Sequence, residues 1–273
     1  MAWFNMAKIT TFKAGYCTHI ACMAMRGAGL KVCQFPARAW LIEIDGYRWL
    51  WDTGYADYFN QYTQTGIFKL YQKTTPVYLN KGESLKEQFD SLGIDLASIQ
   101  NIIISHFHGD HIAGLKDFIH SKFICSQEGW QTVKYLRGFN ALRQGFVPDL
   151  LPIDFEKRVS FLEQFEKCEL APELAPFTFG YILPHSKKQI ILVPLPGHAV
   201  GHIGAFILTD CGWTLLASDA AWVKANYKEL KKPSRLAHLI MSDSKSYYQT
   251  LKQIHQLSYH PDVTIYLSHE GEE

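Results

Sequence analysis

The chain has 273 residues, 47% of them hydrophobic and 19% charged, an ordinary globular composition that excludes disorder. With 27 basic and 26 acidic residues the net charge is +1, which leaves no basic surplus for a nucleic-acid partner. No apolar run reaches the roughly 20 residues of a membrane helix, and the N-terminus, with Lys8 and Lys13 among polar residues, lacks a signal pattern; the expected location is cytoplasmic, with Met6 as a second candidate start.

Residues 7–52 alternate polar and apolar character between glycines, which predicts antiparallel strands. Within them, 39–44 and 47–51 read as a hairpin turning at Asp45-Gly46. Residues 55–80, rich in Tyr, Phe, Gln and Thr without a clean period, predict a loop or short helices. Ser84-Leu85-Lys86-Glu87 opens a surface helix that Gly93 closes. Ile102-Ile103-Ile104 is an apolar strand, followed by expected helices over 112–119 and 128–142. The stretch 145–181 carries Pro148, Pro152, Pro172 and Pro176 among phenylalanines, the composition of a lid, a substrate wall or a dimer contact. Residues 190–193, 213–217 and 263–267 are further apolar strands. Between the last two, 234–258 predicts one long helix with a stripe from Leu236 to Leu257. The whole reads as a single domain over 1–273, with insertions at 55–80 and 145–181.

His106-Phe107-His108-Gly109-Asp110-His111 places three imidazoles and a carboxylate directly after a strand. Residues two apart on extended backbone point the same way, so His106 and His108 can grip one ion. Gly109 then lets the chain turn, so that Asp110 and His111 face a second. Burying so many polar groups costs several kcal/mol unless a metal satisfies them. The other strands repeat the pattern, ending at His198, at Ser218-Asp219 and at Ser268-His269. Loops at strand ends are where a rigid sheet presents functional groups to one shared cavity.

The set His106-x-His108-x-Asp110-His111, Pro196-Gly197-His198-x-x-Gly201-His202, Ser218-Asp219 and His269, with Trp51-Asp52-Thr53-Gly54 before it, resembles the metallo-β-lactamase fold superfamily over about residues 38–269. The resemblance implies an α/β (α+β) fold, a four-layer αββα sandwich of two mixed β-sheets flanked by helices. It implies that His106, His108 and His198 hold one divalent ion, that Asp110, His111 and His269 hold another, and that Asp219 bridges them. Zinc is the default, with iron or manganese as alternatives. Asp219 points away from a β-lactam substrate, and the order of motifs around it is most similar to the N-acyl homoserine lactonases. The implied chemistry is attack of a metal-bridging hydroxide on an ester-type carbonyl, with Asp110 passing a proton to the leaving group.

Those lactonases carry a tyrosine three residues past the bridging aspartate, where this chain has Trp222; an indole N–H only donates, and Tyr227 is the nearby candidate substitute. The lactonase-like order of the motifs, and not this position, makes a lactone the leading substrate. A thioester, as for glyoxalase II, is the alternative, and an accessory protein with little turnover the third reading. Nuclease branches of the superfamily do not suit the charge balance. Asp52 and His202 are expected to orient metal ligands. Cys17, Cys22, Cys33, Cys125, Cys168 and Cys211 are expected as thiols, with Cys17-Thr18-His19-Ile20-Ala21-Cys22 near the substrate mouth rather than a separate metal site. His19, His120, His185, His238, His255 and His260 have no partners at ligand spacing and receive no role. A homodimer through the aromatic insertion completes the expectations.

Overall fold

The structure is a computed structural model that describes residues 5–270. Residues 1–4, most of the extension before Met6, and 271–273 lie outside the described residues. The thirteen strands described form two mixed sheets. The first comprises β1 (Lys8–Ile20), β2 (Val32–Ile44), β3 (Tyr47–Trp51), β4 (Val77–Tyr78), β5 (Asn101–Ile103), β6 (Lys122–Cys125) and β7 (Val159–Phe161), in the order β4-β1-β2-β3-β5-β6-β7. The second comprises β8 (Lys167–Glu169), β9 (Phe179–Ile182), β10 (Ile190–Pro194), β11 (Ile203–Thr209), β12 (Gly212–Ser218) and β13 (Val263–Leu267), in the order β13-β12-β11-β10-β9-β8.

Side-chain alternation along the strands creates the layers. Trp49 and Trp51 of β3 and Ile103 of β5 face the second sheet, where they meet Leu192, Ile203 and Leu216 in one buried cluster. Their neighbours Leu50 and Ile102 face outward and pack with Phe89, Ile112 and Phe118 of the covering helical segments. On the other side, Leu215 and Ala217 of β12 meet Leu251 and Ile254 of the helix Ser244–Leu257. This is the expected αββα sandwich.

Several local signals act as the sequence suggests. Asp45 and Gly46 both take positive φ, and β2 pairs with β3 in register Ile44↔Tyr47. Ser84 accepts from the Glu87 amide and donates to its carboxylate at the start of the helix Leu85–Ser91. Three helical expectations are corrected. The helix placed over 112–119 begins earlier, at Gly109–Ile112, and continues as a 3-10 turn at Leu115–Asp117. The one placed over 128–142 is two helices, Gln127–Val133 and Gly138–Arg143, because the backbone is extended at Arg137 (φ −143°, ψ 159°) and turns through Gly138 at a left-handed φ of 54° where the second helix starts. The long helix over 234–258 is a 3-10 turn, Arg235–Leu239, followed by Ser244–Leu257, which Asp243 caps. Its stripe divides accordingly: Tyr247, Leu251, Ile254 and Leu257 are buried, whereas Leu236, Leu239 and Ile240 are exposed. Residues 55–80 form the short helices Asp57–Thr63 and Lys69–Thr74 and the strand β4. The stretch 145–181 is woven into both sheets through β7, β8 and β9. Among the described residues, no helix is long and apolar enough to cross a membrane.

Candidate metal centre

The C-terminal ends of β5, β10, β12 and β13 converge at one end of the sandwich. After β5 the chain reaches His108 in extended backbone (φ −71°, ψ 154°), and the helix starts at Gly109. The change of direction comes from that helix start and not from a left-handed glycine. Gly109 is required for another reason: a Cβ there would lie 2.6 Å from the Phe59 ring. After β10, Gly197 at φ 127° lies so close to Tyr247 that any Cβ would meet its backbone nitrogen at 2.1 Å. The Gly197 and His198 carbonyls accept from the amides of Asp243 and Ser242, pinning His198 to the start of the helix Ser244–Leu257. At the end of β12 the pairing with β13 shifts register, and Ser218 takes a left-handed φ of 45° that directs Asp219 into the same space.

Two groups of ligand-type atoms result, each with its atoms within 4.8 Å of one another: His106, His108, His198 and Asp219 in one, and Asp110, His111, Asp219 and His269 in the other. Asp219 belongs to both. Its Oδ2 lies 3.2 Å from His198 Nε2 and 3.1 Å from His269 Nε2, and its Oδ1 lies 3.5 Å from His111 Nε2. Asp110 Oδ2 is 3.3 Å from both His111 Nε2 and His269 Nε2. All the ligand residues named in the sequence are therefore brought together.

A surrounding set of hydrogen bonds orients the rings. Asp52, fully buried and at a φ of 55°, accepts from His111 Nδ1 at 2.7 Å, from the Ser105 amide at 2.8 Å and from the Ser105 hydroxyl at 2.7 Å. His202 donates from Nδ1 to the Leu195 carbonyl at 2.9 Å and accepts the Asp219 amide on Nε2 at 3.3 Å. His269 donates from Nδ1 to the Pro36 carbonyl on β2 at 2.9 Å. Ser105 and Pro36 carry no signal in the sequence, because the first looks like any strand-end serine and the second acts through its backbone.

Four atoms of this cluster, His106 Nε2, His111 Nε2, His198 Nδ1 and Asp219 Oδ1, are buried with no hydrogen-bond partner. Unpaired buried polar atoms are costly and rare, and those on His106, His111 and Asp219 sit among the gathered ligand-type atoms, where a bound cation would satisfy them. His198 turns its Nε2 to the cluster, so its unpaired Nδ1 is on the other side of the ring. The protonation of His106, His198 and the two carboxylates fits as well. Burial, reinforced by neighbouring imidazoles, holds His106 and His198 well below the ordinary histidine range, so their lone pairs are free. Burial would raise Asp110 and Asp219, but nearby imidazoles outweigh it: Asp110 is held at about 2 and Asp219 well below its ordinary value.

A cavity of about 460 Å³ opens onto the cluster, reaching His108, Asp110, His198, Asp219 and His269. Its walls are mostly apolar, with Phe35, Leu70, Tyr71 and Trp222 among them. The Trp222 ring stands 5.7 Å from the His198 ring at 88°. Tyr227 is buried on the helix Lys224–Lys228, outside the cavity lining, with its carbonyl accepting from His255 Nδ1 at 2.6 Å. Cys17 lines the cavity, and all six cysteines are free thiols.

Buried lone pairs gathered at the strand ends of an αββα sandwich define a metal-binding class of protein. The sequence model of the metallo-β-lactamase superfamily matches residues 34–269, and the chain belongs to that superfamily. Proteins of Mycobacterium bovis and Mycobacterium tuberculosis, each described as a "probable metallo-hydrolase", are 26% identical to it over 209 residues, 74% of this chain. The chain spans about 61% of the length of these curated relatives. Among solved structures, an N-acyl homoserine lactone hydrolase with its product N-hexanoyl-L-homoserine at the catalytic metal centre superposes with a TM-score of 0.73. It is 17% identical, and the match covers 97% of this chain and 94% of that one. AidC, a dizinc quorum-quenching lactonase, superposes with a TM-score of 0.66 at 14% identity, covering 98% and 88%. At these identities the likeness shows the shared fold.

Proposed function

We propose that the protein is a metal-dependent hydrolase of ester-type bonds, with lactones of the N-acyl homoserine kind as its leading substrates. The observation that carries this reading is the set of orphaned buried ligand atoms on His106, His111 and Asp219, gathered beside a largely apolar cavity that reaches Asp219. His106, His108, His198 and Asp219 would hold one divalent ion, and Asp110, His111, His269 and Asp219 a second, with zinc the natural choice for such donors and iron or manganese also suited. When bound, such a pair supplies Lewis acidity toward the carbonyl and a water acidic enough to attack it near neutral pH. Asp110 reaches the cavity and stays ionised, so it can take a proton at a carboxylate oxygen and pass it to the leaving group. Asp52 and His202 hold His111 and Asp219 in place, and the apolar walls receive the acyl chain. The lactonases of similar fold, one with an acyl-homoserine product bound, support the lactone assignment.

Trp222 favours a second reading. Its indole donates but cannot serve as a phenolic acid, so protonation of the leaving group falls to Asp110. A thiolate needs that proton less than an alkoxide does, which suits a thioester hydrolase of the glyoxalase II type. The test is hydrolysis of N-acyl homoserine lactones and acyl thioesters by zinc-reconstituted protein, with His108→Ala as control. Lactone turnover that disappears in the variant is expected. Thioester turnover alone would move the assignment to the second reading, and turnover of neither with metal bound would sink both.

A further inference from the structure

The cavity is lined by a polar side chain, His19, that the metal clusters do not use. Cys17 and His19 lie two apart on β1, share a face, and both line the cavity. Cys17 stands near Asp110: burial first, then that carboxylate, push its thiol up to about 12. His19 stands about 7 Å further along the strand. The backbone N–H of Ile20 donates to His19 Nδ1 at 3.0 Å, so Nδ1 carries the lone pair and the neutral ring carries its proton on Nε2. Partial burial lowers the ring's pKa and keeps it neutral. Nε2 has no protein partner among the described residues, whereas Thr74, on the same cavity, donates its hydroxyl to the carbonyls of Leu70 and Tyr71. The same cavity is lined by the apolar Met23, Ala24, Leu239 and Ile240. A donor set in such a wall fixes the orientation of a ligand that brings the acceptor.

We infer that the Nε2–H of His19 selects substrates carrying a carbonyl acceptor, of the amide or ketone class, several bonds from the ester bond that is cut. The inference rests on the proposed ester hydrolysis for the identity of the reacting end, and adds a requirement on the arm. Two ring analogues that resist hydrolysis test it without turnover: N-decanoyl-α-amino-γ-butyrolactam and α-undecyl-γ-butyrolactam, in which two methylenes replace the amide. Calorimetric titration of the zinc-loaded chain is expected to show preference for the amide probe. His19→Phe should reduce the ratio of the two affinities about tenfold, the size of one lost hydrogen bond, and His19→Gln, which keeps an N–H at similar reach, should restore it. An unchanged ratio in His19→Phe, a ratio lost equally in both variants, or wild-type protein that prefers neither probe would overturn the inference. Hydrolysis of the corresponding lactones is read separately, so failure of the activity with the preference intact would condemn the proposed reaction and leave the His19 donor standing.

Discussion

Trp51 donates its indole N–H to the Ser218 hydroxyl at 2.9 Å across the interior of the sandwich. The two residues are 167 positions apart, and each immediately precedes a carboxylate of the site, Asp52 and Asp219. One buried bond thus joins the two sheets where the proposed metal ligands are held. Trp51→Phe would leave that hydroxyl buried and unpaired, besides removing ring volume. Stability should fall by about 1–3 kcal/mol, read from urea denaturation midpoints at unchanged slope.

Asp52 touches no proposed metal position, yet it fixes His111. With Asp52→Ala, His111 loses the acceptor that keeps its proton on Nδ1 and its Nε2 lone pair on the cluster. Partners of this kind are worth about 10–100-fold in metal affinity. Competition with a chromogenic chelator should show a loss of that order, and an unchanged affinity would remove Asp52 from the site.

His202 acts through the backbone of Asp219 and not through its carboxylate. His202→Phe leaves the Asp219 amide and the Leu195 carbonyl without partners. The expected result is a fall in kcat of about 10-fold or more with little change in KM, since the cavity walls are untouched. An equal rise in KM would indicate general loosening of the fold instead.

Metal removal should alter both the stability and its pH dependence. At metal concentrations 100 times the dissociation constant, binding contributes about 2.7 kcal/mol, which calorimetry with and without chelator should detect. In the stripped protein, burial lowers His269, but the carboxylates of Asp219 and Asp110 outweigh it and raise its pKa from 6.5 to about 9. A raised histidine stabilises the fold fully below 6.5 and loses that contribution as the pH climbs through about 9. Asp110, held at about 2, contributes above 3.8 and loses its contribution as the pH falls toward 2. The stripped protein should therefore weaken between pH 6.5 and 9, whereas the zinc-loaded protein, whose imidazoles are already deprotonated, should not.

The sequence by itself determined what depends on local order: the strands that end in His or Asp, the Asp45-Gly46 turn and the Ser84 cap, whereas the αββα layering was expected only through the family resemblance of its motifs. The local features follow from side-chain periodicity and turn chemistry, which act over a few residues. Helix continuity was less legible, because apolar spacing carries across a break such as Gly138 without revealing that one half faces solvent. Only the tertiary structure decided the partners of the site. His111 meets Asp52 from 59 positions away, and His269 meets the Pro36 carbonyl from 233. The tertiary structure also set His19 on the wall of the cavity and Tyr227 off it. Such contacts are made by sheets packing face to face. Their energy depends on which chain segments arrive together, a property of the whole fold and not of any one window of residues.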